Sequence, residues 1–238
     1  MSEVVLELHN LHSGYQSRDV LRGISLAVSR GELVTIIGPN GHGKSTLLRT
    51  IFGLLPSRKG RVEFLGKPLG GLTPEQIARL GLTYVPQGDA LFPDMTVREN
   101  LLMGAYLERN AKEALRRLDE VCMLMPKLSE RSAQLARCLS GGERRMVSIA
   151  RAIMASGRLL LIDEPSLGLA PLVTDSIYRL IGRLKNSGRT ILLVEENPAR
   201  VVDMADRLHL LDDGLIVWTG RGQELMSRGE LLSTYLGG

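Results

Sequence analysis

The residues Gly38-Pro39-Asn40-Gly41-His42-Gly43-Lys44-Ser45-Thr46 bring glycines, a lysine and two hydroxyls together with the spacing G-x-x-x-x-G-K-S. Glycines at 38, 41 and 43 let the backbone turn tightly and approach an anion, so consecutive N–H groups can point at phosphate oxygens. At this spacing Lys44 reaches terminal phosphates and the Ser45 hydroxyl ligates Mg²⁺. The apolar run Leu33–Ile37 before the loop reads as a buried parallel strand. After it, Leu47, Leu48, Ile51, Phe52, Leu54 and Leu55 follow helical spacing. Strand, glycine loop and helix together put the positive end of a helix at the phosphate. The chain is therefore expected to bind a nucleoside triphosphate.

Two further stretches carry chemistry. Leu159–Ile162 is a continuous aliphatic run, expected to be a strand covered on both faces, and it ends in Asp163-Glu164. Ligands of open α/β sheets sit at the carboxyl ends of such strands, and adjacent acids there point to opposite sides. Asp163 can hold Mg²⁺, and Glu164 can take a proton from an attacking water. In Leu139-Ser140-Gly141-Gly142-Glu143, Ser140 and Glu143 form a capping box ahead of Met146, Val147, Ile149, Ala150 and Ile153 at helical spacing. The two glycines leave the first N–H groups of that helix open to a phosphate, whereas alone the pattern is only a capped helix after a turn.

The elements that must position these groups alternate along the chain. Residues 4–8 and 24–28 alternate as half-buried strands, with Tyr15 in a polar turn between them. Short strands follow at 61–65 and 82–85, with a helix opened by Thr73-Pro74-Glu75. From about Thr96 to Ala155 the chain reads as helical. Thr96 and Glu99 form a capping box there, and Leu115, Leu118, Val121, Cys122 and Met125 form a packing stripe. Strand and helix then alternate again: a helix from Pro171, a strand at 190–194, a helix from Pro198, and strands at 208–211 and 215–218. The expected fold is α/β: a phosphate-loop core with a mixed sheet over 1–87 and 156–238, an N-terminal antiparallel β subdomain, and an inserted helical subdomain over 88–155.

Composition narrows the partners. At 238 residues, 44% hydrophobic and 24% charged, the chain has ordinary globular make-up. Its net charge of +4 is dispersed in doublets such as Arg58-Lys59, Arg116-Arg117 and Arg144-Arg145, without the basic run or aromatic weave of a nucleic-acid surface. Cys122 and Cys138 form no C-x-x-C pair and are expected to be buried, reduced thiols. The first residues, Met1-Ser-Glu-Val-Val, lack the pattern of a signal peptide. No apolar run approaches the ~18 residues of a membrane helix. A cytosolic protein that reaches a membrane through partners is the expectation.

Taken in order, Tyr15, the phosphate loop, Gln87, Ser140–Glu143 and Asp163-Glu164 resemble the ATP-binding subunits of ABC transporters over nearly the whole chain. The resemblance implies that Tyr15 stacks on adenine, that Gln87 senses Mg²⁺ and a transmembrane partner, and that Ser166-Leu-Gly-Leu169 crosses a dimer interface. It implies a head-to-tail dimer in which ATP lies between the phosphate loop of one subunit and Ser140–Glu143 of the other. Two positions depart from the family. His42 stands where the loop usually carries a small residue; an imidazole there either projects outward or adds charge near the phosphates when protonated. Glu196 stands where most members place a histidine on the γ-phosphate, and an ionised carboxylate cannot donate a hydrogen bond and repels phosphate. Full hydrolysis through Glu164 and slowed hydrolysis are both open on this reading.

The subfamily is suggested by Tyr84-Val-Pro-Gln-Gly88, Leu91–Leu101, Ser166–Pro171 and Val194-Glu-Glu-Asn197, which look like one ATPase subunit of branched-chain amino-acid importers. That subunit is similar in lacking the histidine. The resemblance implies a second, different ATPase, two permeases, a soluble solute-binding protein, no nucleic acid, and a peripheral position on the cytoplasmic face of the membrane. ATPases of urea and short-chain amide importers share these motifs. Gly142-Glu-Arg-Arg145 resembles instead the ATPase of lipopolysaccharide exporters, which keeps the histidine. A soluble ABC ATPase acting on DNA or ribosomes would carry coiled-coil insertions or two cassettes, and neither is seen.

Overall fold

Every residue of Leu33–Ile37, Leu159–Asp163 and Thr190–Glu195 is buried, which only strands covered on both faces can achieve. The computed structural model, which describes residues 3–227 and residue 229, places these three runs side by side in the middle of one sheet. In chain order the strands are β1 (Val4–Tyr15), β2 (Arg18–Ser29), β3 (Leu33–Ile37), β4 (Ser57–Phe64), β5 (Lys67–Pro68), β6 (Leu82–Val85), β7 (Leu159–Asp163), β8 (Thr190–Glu195), β9 (Arg207–Asp212) and β10 (Leu215–Gly220). The helices are α1 (Lys44–Ile51), α2 (Pro74–Arg79), α3 (Val97–Gly104), α4 (Ala111–Leu124), α5 (Pro126–Glu130), α6 (Gly141–Met154), α7 (Pro171–Asn186) and α8 (Gly222–Met226).

The larger sheet runs β10-β9-β3-β8-β7-β6, parallel except for the β9–β10 hairpin, so it is mixed as expected. The smaller sheet, β2-β1-β4-β5, is antiparallel. Alternation along β3 divides the core. Val34 and Ile36 point toward α1 and the antiparallel sheet, while Leu33 and Ile37 face the cluster that contains α3, α6 and α7. Parallel order brings the carboxyl ends of β3, β6, β7 and β8 to one edge, and the phosphate loop, Gln87, Glu164 and Glu196 lie on the loops that leave it. Helices α3 to α6 follow one another between β6 and β7.

Four expectations are corrected. Tyr15 is not in a turn: it is the last residue of β1 and pairs with Arg18 of β2. Pro198–Arg200 is a single 3₁₀ turn, because Asn197 caps it and the chain must return to β9 within a few residues. Cys138 is exposed at the end of another 3₁₀ turn, and Cys122 is only partly buried. Leu115 is also exposed, since α4 buries the side defined by Leu118 and Val121.

Candidate nucleotide-binding site

Two positions of the phosphate loop demand glycine, one for space and one for backbone conformation. A Cβ on Gly38 would lie 2.2 Å from the Leu211 carbonyl oxygen, and Gly43 holds φ at 108°, in the region that favours glycine. Gly43 is also the N-cap of α1, and no side chain caps that helix. Helices α2, α3 and α6 each carry a complete capping box. The first N–H donors of α1 are thus left for an anion, with the helix dipole behind them.

Lys44 is 3% exposed, and its ammonium has three partners. It donates to the carbonyls of Gly38 (2.8 Å) and Pro39 (3.0 Å) and pairs with Glu164 Oε1 at 3.0 Å. Ser45 Oγ donates to Asp163 Oδ1 at 2.8 Å. The other Asp163 oxygen accepts from the Tyr84 hydroxyl at 2.9 Å, and Gln87 Nε2 donates to Glu164 Oε2 at 3.2 Å. The two adjacent acids therefore do face different groups. Glu164 sits in the left-handed region at φ 40°, held there by its N–H bond to the Val194 carbonyl (3.1 Å). A serine hydroxyl against a buried carboxylate is an all-oxygen donor set that suits a hard cation such as Mg²⁺.

The other anticipated residues fall in distinct places. Tyr15 is exposed, and its hydroxyl accepts from Arg49 of α1 at 3.3 Å. His42 does not stand free: its Nδ1 is 2.7 Å from Asp212 Oδ1, and its carbonyl accepts from Gly214, so this loop residue is tied to the β9–β10 turn. Ser140 and Glu143 form the expected capping box, and Glu143 also pairs with Arg131 at 2.9 Å. Gly141 is open, but a Cβ on Gly142 would meet Val173 of α7 at 2.7 Å, so Gly142 serves close helix packing. Among the described residues no hydrogen bond or ion pair joins Ser140–Glu143 to Gly38–Thr46 within the chain. Glu196 is exposed, and its carboxylate has no hydrogen bond among the described residues.

Sequence reasoning missed two residues of this region. Tyr84, in the sequence only one residue of the Tyr84–Gly88 motif, touches Asp163 and packs on Phe52 with ring centroids 5.5 Å apart. Burial, and then Asp163, raises its pKa, so the phenol stays a donor. Arg145, 3% exposed, donates to the carbonyls of Pro86 (2.6 Å), Asp163 (2.9 Å), Pro165 (2.9 Å) and Gly88. It ties α6 to the ends of β6 and β7. Its signal was available: an arginine four residues before Ile149 on the apolar stripe of α6 must find buried acceptors.

An uncapped helix after a glycine loop, a buried lysine, and an Asp-Glu pair at the end of β7, which lies across β8 from the strand that feeds the loop, define a phosphate-loop nucleotide hydrolase. Residues 21–167 match the ABC transporter family, and the chain belongs to that family as an ATP-binding, ATP-hydrolysing subunit. It is 39% identical over 98% of its length, and the whole of the relative, to a high-affinity branched-chain amino acid transport ATP-binding protein, BraG, of Pseudomonas aeruginosa. It is 33% identical to the lipopolysaccharide export ATP-binding protein LptB of Haemophilus influenzae, covering 98% of this chain and 97% of that one. Among solved structures, an ATP-binding cassette of an ABC transporter in its ADP conformation superposes with a TM-score of 0.85 at 31% identity, over 98% of this chain and 96% of that one.

Proposed function

We propose that this ATPase subunit powers the import of branched-chain amino acids, working with a second, different ATPase subunit in a head-to-tail dimer on two permeases fed by a solute-binding protein. The observation that carries this reading is the end-to-end 39% identity to BraG. Glu196 at the end of β8, where lipopolysaccharide-exporter ATPases keep a histidine, supports it.

Each site residue has a role on this reading. Tyr15 stacks on adenine. Residues Gly38, Pro39, Asn40, Gly41, His42, Gly43 and Thr46 wrap the phosphates with backbone donors, and Lys44 meets the terminal phosphate. Ser45, Asp163 and Gln87 hold Mg²⁺, which when bound neutralises phosphate charge. Glu164 takes a proton from the attacking water. Ser140, Gly141, Gly142 and Glu143 complete the partner's site, and the partner's equivalents complete this one.

The helices between β6 and β7 supply the surface for the permeases. Phe92, Met103, Tyr106 and Leu107 are exposed around a cleft of about 410 Å³ whose floor includes Tyr84 and Pro86. Asn100 fixes one wall by bonding Phe92 on both its N–H and its carbonyl. Gln87 lies one residue beyond Pro86, so movement of residues 88–155 against the core reaches Glu164 through the Gln87–Glu164 contact. No helix among the described residues is long and apolar enough to cross a membrane. On this reading the subunit is held peripherally by the permeases, on the cytoplasmic face.

The test is purification from native membranes in mild detergent, followed by identification of the associated subunits. A second ATPase with two polytopic permeases supports the proposal. A homodimer with a bridge into the periplasm replaces it with lipid export, and a urea- or amide-binding protein in the same operon-encoded system changes the solute.

A further inference from the structure

The ends of β7 and β8 are joined by a closed ring of four side chains outside the nucleotide contacts. Ser166 Oγ accepts from Arg200 Nη1 at 2.5 Å and lies 3.2 Å from the Tyr178 hydroxyl. The Tyr178 hydroxyl donates to Glu195, and Glu195 Oε1 lies 3.5 Å from the same Arg200 nitrogen. Glu195 Oε1 also accepts from the backbone N–H groups of Glu196 and Asn197, at 3.1 and 3.0 Å. Glu195 and Ser166 are 3% and 2% exposed. A carboxylate is buried at this cost only where donors and an opposite charge saturate it, as they do here.

What the ring grips is the catalytic loop. Glu164 holds a left-handed backbone that is strained for a non-glycine residue, and such strain persists only where neighbours fix it. Two consecutive residues of β8 do so. Val194 accepts the Glu164 N–H on one side of Pro165, and Glu195 anchors Ser166 on the other through Tyr178 and Arg200. The same Glu195 fixes the backbone of Glu196. We infer that Glu195, Tyr178 and Arg200 are positioning residues that set Glu164, the Ser166–Leu169 loop and Glu196 in one register. Half-exposed Leu167 is thereby presented toward the partner subunit, a part of the inference that rests on the proposed dimer.

The experiment compares wild type, Tyr178→Phe, Ser166→Ala and the double variant in the assembled transporter, by steady-state ATPase assay, with nucleotide affinity of each full-length chain measured by a fluorescent ATP analogue. The expected result is a kcat lower by about tenfold in each single variant, since small misplacements of a reacting group carry penalties of that size. KM for ATP and analogue affinity should stay within about twofold, and the double variant should be no slower than the worse single. Additive losses, an unchanged kcat, or an affinity loss equal to the kcat loss would overturn the inference. Ser166→Ala removes one oxygen only, so it answers even where Tyr178→Phe fails to fold. If the assembled subunits prove to be those of an exporter, the proposed solute fails while the variant-to-wild-type ratios still judge the ring.

Discussion

The Lys44 ammonium and the Glu164 carboxylate stand 3.0 Å apart, and both are almost wholly buried. The cation proposed to meet phosphate is thus paired with the carboxylate proposed to activate water. A phosphate entering the loop competes with Glu164 for Lys44, so removal of the negative charge has two separable effects. Glu164→Gln should lower hydrolysis at this site by roughly 100-fold or more, the usual contribution of a general base. It should also tighten ATP binding by about threefold to tenfold, because the competing charge is gone. Single-turnover phosphate release and calorimetric titration of the full chain measure the two. Weaker ATP binding in the variant would show that Glu164 assists phosphate binding.

Asp163 spends its two oxygens on different donors, Ser45 at 2.8 Å and Tyr84 at 2.9 Å. The Tyr84 bond fixes the carboxylate plane and leaves Ser45 beside the oxygen proposed to serve Mg²⁺. Tyr84→Phe keeps the ring on Phe52 and removes the hydroxyl that holds Asp163, together with its contact to Arg49. The Mg²⁺ concentration needed for half-maximal nucleotide binding should rise about tenfold, the worth of one hydrogen bond to a charged group. Affinity without Mg²⁺ should not change. A shift of equal size in EDTA would show that Tyr84 shapes the loop and not the cation site.

What the sequence disclosed and what it withheld divide along a physical line. Contacts between residues near in sequence were legible: the phosphate loop after β3, the capping boxes at Thr96 and Ser140, and the aliphatic runs that became β3, β7 and β8. Contacts that depend on which strands become neighbours were not. Tyr84 meets Asp163 only because β6 pairs with β7, and Ser166 is joined to Glu195 through Tyr178 and Arg200 only because β7 pairs with β8. The helix expected from Pro198 failed for a related reason, as the turn is ended by the need to reach β9, which no local pattern encodes. His42 looked like a loop substitution, and its partner Asp212 lies 170 residues away.

Arg145 makes a prediction about stability. Its guanidinium bonds four carbonyls from two loops, and three of its contacts close on Pro86, Gly88 and Pro165 beside the site. Arg145→Met fills similar volume but leaves those carbonyls without their donor, at a cost of about 3 kcal/mol or more. Arg145→Lys should recover little, since one ammonium cannot span acceptors arranged for a planar fork. Urea unfolding midpoints of the purified chains decide it; a loss below about 1 kcal/mol for Met would mean that water replaces the guanidinium.

His209 on β9 makes stability depend on pH. Burial, and then the charge of Arg207, lowers its pKa from 6.5 to about 4. Its Nδ1 is 2.7 Å from Thr219 Oγ1, and its Nε2 is buried without a partner among the described residues, so a second proton would find no acceptor among them. Below pH 6.5 the unfolded chain takes up a proton that the folded chain refuses until about pH 4. Stability from this group is therefore intact above the upper value, falls as pH drops through the interval, and is lost below it. The full difference is worth about 3 kcal/mol. His209→Asn should flatten this part of the profile in denaturant titrations at a series of pH values. An identical slope in the variant would place the acid sensitivity on other groups.

Glu196 directly follows the buried Glu195, yet its own carboxylate is exposed and without a hydrogen bond among the described residues. Its backbone is fixed by Glu195, so a replacement side chain starts from the same anchored position. A neutral or protonated imidazole there can donate to a phosphate oxygen, which an ionised carboxylate cannot, and the repulsion is removed as well. Glu196→His should therefore raise ATP turnover of the assembled transporter, by roughly threefold to tenfold for one added donor at developing phosphate charge. The gain should vanish in the Glu164→Gln background, because the donor stabilises a reaction that Glu164 is proposed to initiate. Unchanged turnover would mean that the departure carries no mechanistic weight and that this site already hydrolyses ATP at its full rate.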